Sequence, residues 1–194
     1  MASRAPAAVR QYGAAVRALL LFTVVLGLAY PLLMTGVSQV VFHDQANGSM
    51  TAHGSSLLGQ SFTDADGNPL KQWFQPRPSA GSYDPLASGA SNLGPNAEDQ
   101  VKAVDERRAA VAEFDGVAPA DVAPDALTAS GSGLDPHISP EYARQQVNRV
   151  ADARGLSVDE VRKLVDEHTQ GRILGFLGED RVNVLELNIA LDQL

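Results

Sequence analysis

The chain of 194 residues contains no cysteine. That excludes a disulfide framework, a cysteine-ligated zinc site and a cysteine nucleophile. It leaves the redox compartment open, because a domain of this size can build a core without covalent staples. Basic residues are also scarce beyond residue 17. Twelve Lys and Arg stand there against all 23 Asp and Glu, a net charge of −11. Phosphate contacts need Lys and Arg, so this balance argues against a nucleic-acid partner. The third absence is local: Ala18 to Phe42 holds not one charged side chain.

That run, ALLLFTVVLGLAYPLLMTGVSQVVF, is where the chain is most informative. About 20 apolar residues cross a hydrocarbon core of about 30 Å, and an unsatisfied peptide group is too costly in lipid for anything but a helix. A transmembrane helix over 18–42 is therefore expected. A cleaved signal peptide shares the basic flank of Arg4, Arg10 and Arg17, but its apolar region is shorter and ends in a small-residue site that is missing here. Pro31 removes one backbone donor and should kink the span near its middle. Thr23, Gly27 and Tyr30 share a face around that proline, and small residues at this spacing let another helix approach closely. Thr23, Gly27, Tyr30 and Pro31 are thus the candidate partner interface, with plain contact to lipid as the alternative. Three Arg before the run and none of the acids place the N-terminus in the cytoplasm by the positive-inside rule. The expected organisation is a basic cytoplasmic segment (1–17), the span (18–42) and an extracytoplasmic soluble domain (43–194).

Within that domain the stretch from Ser56 to Phe62 reads as a short strand. Asp66-Gly67-Asn68-Pro69 is a turn signal, and Leu70 to Phe74 is the expected return strand. Residues 75–96, QPRPSAGSYDPLASGASNLGPN, are rich in Pro, Gly, Ser and Asn yet carry Tyr83, Leu86 and Leu93. An ordered functional loop suits them better than a free linker. Ala97 to Phe114 has helical periodicity, with Val101, Val104, Val111 and Phe114 on one face and Gly116 to stop it.

Three chemical readings meet in DALTASGSGLDPHISP, residues 125–140. Ala129-Ser130-Gly131-Ser132-Gly133 approximates a G-x-S-x-G nucleophile elbow, with Asp135 and His137 nearby. A membrane-anchored hydrolase using Ser130 and His137 is the alternative function this raises. An elbow needs a strand before its serine and a helix after it, and Pro124 and Pro136 favour neither. Asp135 and His137 as metal ligands lack a third partner. Ser130, Gly131, Ser132 and Gly133 as a phosphate-cradling nest are the nucleotide candidates, although no Lys follows as in a phosphate-binding loop. A tight structural turn explains the same residues without chemistry.

Ser139-Pro140-Glu141 is a helix start, leading to a helix through Arg154 with Ala143, Val147 and Val150 inward. Ser157 and Glu160 form a capping box that opens a second helix through His168, with Val158, Val161, Leu164 and Val165 inward. His168 packs rather than catalyses. Gly175 and Gly178 flank Phe176 in a bend. Val182 to Leu191 alternates like a strand, although Asn183 with Glu186 also suits a helix cap. The fold class expected is α+β (or α/β), tethered by one N-terminal transmembrane helix.

Taken together, several phrases resemble one family. They are Tyr30-Pro31-Leu32, Gln45-Ala46-Asn47-Gly48-Ser49, Gly59-Gln60-Ser61-Phe62, Phe74-Gln75-Pro76-Arg77-Pro78-Ser79-Ala80 and Ser91-Asn92-Leu93-Gly94-Pro95-Asn96. The run from Leu127 to Pro140, Gly175-Phe176-Leu177-Gly178-Glu179 and Val182-Asn183-Val184-Leu185 complete the set. In this order they resemble the KdpC family, the small C subunits of bacterial Kdp potassium-transporting P-type ATPases. The resemblance implies a complex with a channel-like potassium subunit, a P-type ATPase subunit and a very small membrane subunit in the bacterial inner membrane. It implies a role in assembly and in raising the ATP affinity of the ATPase subunit, with no cofactor or catalytic residue of the chain's own. The sequence fits an accessory: it has no D-K-T-G, no G-x-x-x-x-G-K and no T-V-G-Y-G. An extracytoplasmic domain would meet little ATP, so the nucleotide effect is expected to pass through subunit contacts.

Overall fold

The computed structural model describes residues 6–194, so Arg4 of the basic flank lies outside the described residues. The chain forms two units, residues 1–49 and 50–194.

The first unit is dominated by one helix, α1 (Ala7–Val41), 35 residues long. It begins eleven residues before the uncharged run, so Arg10 and Arg17 are helical, and the Arg17 Nε–H donates to Gly13 O at 3.0 Å. At 1.5 Å per residue it is about 50 Å long, more than a bilayer core requires. Its apolar side chains are exposed along the whole length. Where a kink is expected at Pro31, the helix has a widened turn. Thr23–Ala29 is a π-helical segment, and the Tyr30 N–H donates to Val25 O, five residues back. A proline ring clashes with the carbonyl four residues earlier, here that of Gly27, and the widened turn lies directly before it. A short helical turn, His43–Ala46, ends the unit, where Asn47 and Gln39 join their amides at 3.1 and 3.3 Å.

The second unit packs helices α2 (Glu98–Asp115), α3 (Pro140–Arg154), α4 (Val158–Glu167) and α5 (Val184–Leu191) with two small antiparallel sheets. Strands β1 (Met50–Thr51) and β2 (Gly54–Ser55) form a hairpin. Strands β3 (His137–Ile138), β4 (Thr169–Gln170) and β5 (Arg181–Asn183) form a sheet in the order β3-β5-β4, with Ile138 and Thr169 both opposite Val182. All pairings are antiparallel, so of the two expected classes the fold is α+β.

The caps expected at α3 and α4 are present. Ser139 Oγ accepts from the Tyr142 N–H at 3.0 Å, and Ser157 and Glu160 bond reciprocally. The core is built from Ala143, Val147 and Val150 of α3, Val161, Leu164 and Val165 of α4, Leu187 and Leu191 of α5, Val182, and Phe74, which is fully buried. Each of the Val, Leu and Phe side chains gains about 1.5–3 kcal/mol on leaving water.

Three expectations fail. Residues 56–62 and 70–74 are not strands. The turn between them is real, since Asp64 Oδ1 accepts from the Asp66 and Asn68 N–H groups and Thr63 bridges Pro69. Beyond it, however, the backbone bonds to side chains. Asn188 accepts from the Phe74 N–H at 2.9 Å and donates to its carbonyl at 3.0 Å. Gln146 does the same for Gln75, at 2.6 and 3.0 Å. Arg149 and Arg154 donate to the carbonyls of Lys71, Trp73 and Gln72. These backbone groups are satisfied without a neighbouring strand. Residues 184–191, read as strand, are helix, because Asn183 Oδ1 accepts from the Glu186 N–H and starts one. On α2, Val101 is exposed; Val104 and Val111 pack against the core, and the fully buried positions are Ala112 and Asp115.

Candidate functional site

Ala129 to Pro136 has neither helix nor strand, so Ser130 lacks the strand before and helix after that an elbow requires. Its hydroxyl works inside its own turn. Ser130 Oγ accepts from the Gly133 N–H at 2.9 Å and lies 3.3 Å from Ser132 Oγ, which accepts from the Leu134 N–H at 3.1 Å. The Gly133 amide that a nest over 130–133 would offer, and the Leu134 amide next to it, are therefore already taken by serine hydroxyls. Gly133 sits at φ +67°, and a Cβ there would come within 2.7 Å of Gly89 O. Only glycine fits that backbone and that contact.

The long loop 75–96 holds this turn in place. Ser79 Oγ donates to Gly133 O at 2.6 Å, and the Gly89 N–H and Ser88 Oγ donate to Ser132 O at 2.8 and 3.1 Å. The Tyr83 hydroxyl donates to Arg77 O. Gly59 closes the third side: its N–H donates to Leu134 O at 2.8 Å, and a Cβ would lie 2.7 Å from Asp135 O. The loop read as ordered is ordered, and its hydrogen bonds converge on residues 132–135.

Asp135 is the electrostatic centre. Its Oδ2 pairs with Arg77 Nη1 at 3.2 Å, and its Oδ1 accepts from the His137 N–H at 3.0 Å and faces His137 Nδ1 at 3.3 Å. Burial pushes its carboxyl up, but the His137 hydrogen bonds and the Arg77 charge outweigh this and hold it below the ordinary carboxylate value. Burial likewise raises the Tyr83 phenol well above its ordinary range, so it stays a donor. His137 therefore faces Asp135, while Ser130 is engaged by its own turn.

Sequence reasoning missed Asp125. Its two oxygens accept from the Ser139 N–H at 2.7 Å and the Ser139 hydroxyl at 2.8 Å, fixing the start of α3. Nothing in the local sequence marks that pairing. No group of three or more His, Asp or Glu able to hold a metal occurs among the described residues.

The other candidate set lies on α1. Thr23, Gly27 and Tyr30 are exposed at the π segment, and Pro31 begins the next helical turn. A Cβ on Gly27 would meet only Thr23 Cγ2, at 3.9 Å, so this face is open.

Comparison with known proteins follows the same line. The model of the KdpC family, described as K+-transporting ATPase, c chain, matches residues 12–193. A potassium-transporting ATPase KdpC subunit of Kineococcus radiotolerans is 62% identical over 180 residues, spanning 89% of this chain and 88% of its own length. A subunit of the same description from Streptomyces avermitilis is 48% identical over 205 residues (93% and 92%). One from Mycobacterium tuberculosis is 48% identical over 194 residues (95% and 99%).

Proposed function

The chain belongs to the KdpC family, the c chains of K+-transporting ATPases, and from that premise we propose that it is an accessory subunit that hydrolyses nothing itself. The observation that carries the accessory role is the state of the 130–137 loop. Ser130, Ser132 and Asp135 are each tied to groups of the loop or of the segments that hold it, which is what a structural device requires and an open catalytic site does not.

In this reading α1 anchors the chain in the bacterial inner membrane with its N-terminus in the cytoplasm and the acidic domain outside. Its partners are a channel-like potassium subunit, a P-type ATPase subunit and a very small membrane subunit. ATP sits on the ATPase subunit. The chain assists assembly and raises that subunit's ATP affinity through contacts, a coupling free energy between sites rather than a shared nucleotide pocket. Direct contact of ATP with Ser130, Gly131, Ser132 and Gly133 is the second reading, and it requires a cytoplasmic domain.

The test is reconstitution. Potassium-dependent ATP hydrolysis should fall to background when the complex lacks this chain and return when it is added, while the purified chain shows no turnover. ATPase or esterase activity of the isolated chain, abolished by Ser130→Ala, would overturn the proposal in favour of a hydrolase.

A further inference from the structure

The π segment of α1 leaves one backbone carbonyl without a helical partner. The Tyr30 N–H, which an α-helix would give to Leu26 O, goes to Val25 O instead. The next amide, which would reach Leu26 O in a π turn, belongs to Pro31 and does not exist. Leu26 O thus lacks both its α and its π donor. Side chains of the same helix do not stand in. Thr35 Oγ1 donates to Pro31 O at 2.8 Å, Arg17 to Gly13 O and Gln39 to Asn47. Thr23, unlike Thr35, makes no hydrogen bond through its hydroxyl among the described residues. It stands beside Gly27, where a Cβ would find Thr23 Cγ2 as its nearest neighbour at 3.9 Å. An idle hydroxyl and an idle carbonyl therefore lie within one turn of each other, next to a residue with no side chain to cover them.

Depth decides what can fill this gap. Leu26 lies about 12 Å along the helix from Ala18 and about 24 Å from Phe42, the two ends of the uncharged run, at 1.5 Å per residue. With α1 in a bilayer that position is in hydrocarbon, where lipid tails donate nothing and an unpaired carbonyl is costly. A proline defect in a span is tolerated where a neighbouring helix satisfies the freed group. A charged donor would itself be expensive at that depth. A hydroxyl or carboxamide is not charged, and it both donates, as Leu26 O requires, and accepts, as the Thr23 hydroxyl requires.

We propose that Leu26 O and the Thr23 hydroxyl form a polar docking site inside the membrane, filled by an Asn, Gln, Ser or Thr side chain on a helix of another subunit of the potassium-transporting ATPase. The proposal rests on the reading of α1 as a span and of this chain as a subunit of that complex. It adds the chemistry of the contact: the partner helix donates to a backbone carbonyl that Pro31 sets free.

The experiment uses the full chain in the complex assembled in native membranes. A benzophenone amino acid replaces Tyr30, is irradiated, and the crosslinked residue is identified. The expected crosslink joins another subunit within one helical turn of an Asn, Gln, Ser or Thr. Replacing that residue by Leu should lower the fraction of complex carrying this chain about threefold, and Thr23→Val should act alike, while Thr23→Ser restores it. The amount of chain in the membrane should not change. Pro31→Ala returns a donor to the helix, so in Pro31→Ala with Thr23→Val the partner's replacement should have no further effect. Crosslinks to lipid alone, or to a helix with no such residue within a turn, overturn the site. So does Thr23→Val without effect, a reduced amount of chain in the membrane, or a partner replacement that costs as much in the double variant as in wild type. Each of these leaves the subunit reading standing. Failure of the unmodified chain to co-purify with the complex overturns that underlying reading itself.

Discussion

Arg149 ties α2 and α3 to the segment 71–73. Its guanidinium bonds Asp115 at 2.7 Å, Gln146 Oε1 at 2.6 Å and the carbonyls of Lys71 and Trp73, and it lies 4.4 Å from the centre of the Phe114 ring. Its side chain is 4% exposed and that of Asp115 2%. Removing one member of such a pair strands the other, so Arg149→Met should cost about 3–5 kcal/mol in denaturant unfolding. Arg149→Met combined with Asp115→Leu should cost less than the sum of the single changes, and simple additivity would show that the pair is not coupled. Periodicity hides this arginine, because an apolar pattern shows which residues are inside and is silent about a charge whose partners arrive from elsewhere in the chain. Asp135 gives a prediction in pH. Its carboxyl is held below its unfolded value, so the stabilisation is present above about pH 4 and is lost as pH falls through the folded value. Wild type should therefore lose more stability between about pH 5 and pH 3 than Asp135→Asn does; parallel curves would place the acid sensitivity elsewhere.

The elements legible in advance were those whose signals are local. α3 and α4 start at Ser139 and Ser157 because a hydroxyl one turn away satisfies their first amides, and that information lies within four residues. Residues 71–75 defeated the same approach, since their carbonyls and the Phe74 and Gln75 amides bond the side chains of Gln146, Arg149, Arg154 and Asn188, none nearer than 71 positions. At 184–191 the alternation of 185, 187, 189 and 191 was real, but Val184 and Asn188 are buried as well, and the Asn183 cap decides for helix. For α1 the proline implies a kink, whereas the structure shows a π-helical segment before it. Within α1, Gly27→Leu should leave the isolated helix intact, because only Thr23 Cγ2 lies near, at 3.9 Å. If that face meets another helix, recovery of the chain with the larger subunits should fall severalfold at unchanged circular dichroism. Equal recovery would show that the face meets lipid.

Charge is divided between the ends of this molecule: Arg10 and Arg17 belong to α1, while residues 18–194 carry a net −11. In the orientation proposed above the domain lies outside. Ser82 is exposed on the long loop, so Ser82→Cys, the sole thiol of the chain, should react with a membrane-impermeant reagent in intact cells, or in osmotically opened ones if an outer membrane intervenes. Labelling only after the inner membrane is broken would reverse the topology and favour direct nucleotide contact. The pairing of Phe74 with Asn188 across 114 positions has a further consequence in time. Chains are made from the N-terminus, so α1 can be inserted long before residue 188 exists, and the Phe74 and Gln75 amides must wait unpaired. A message broken after Gly178 would therefore yield an anchored, unfolded chain that is a substrate for membrane proteases rather than a shorter subunit.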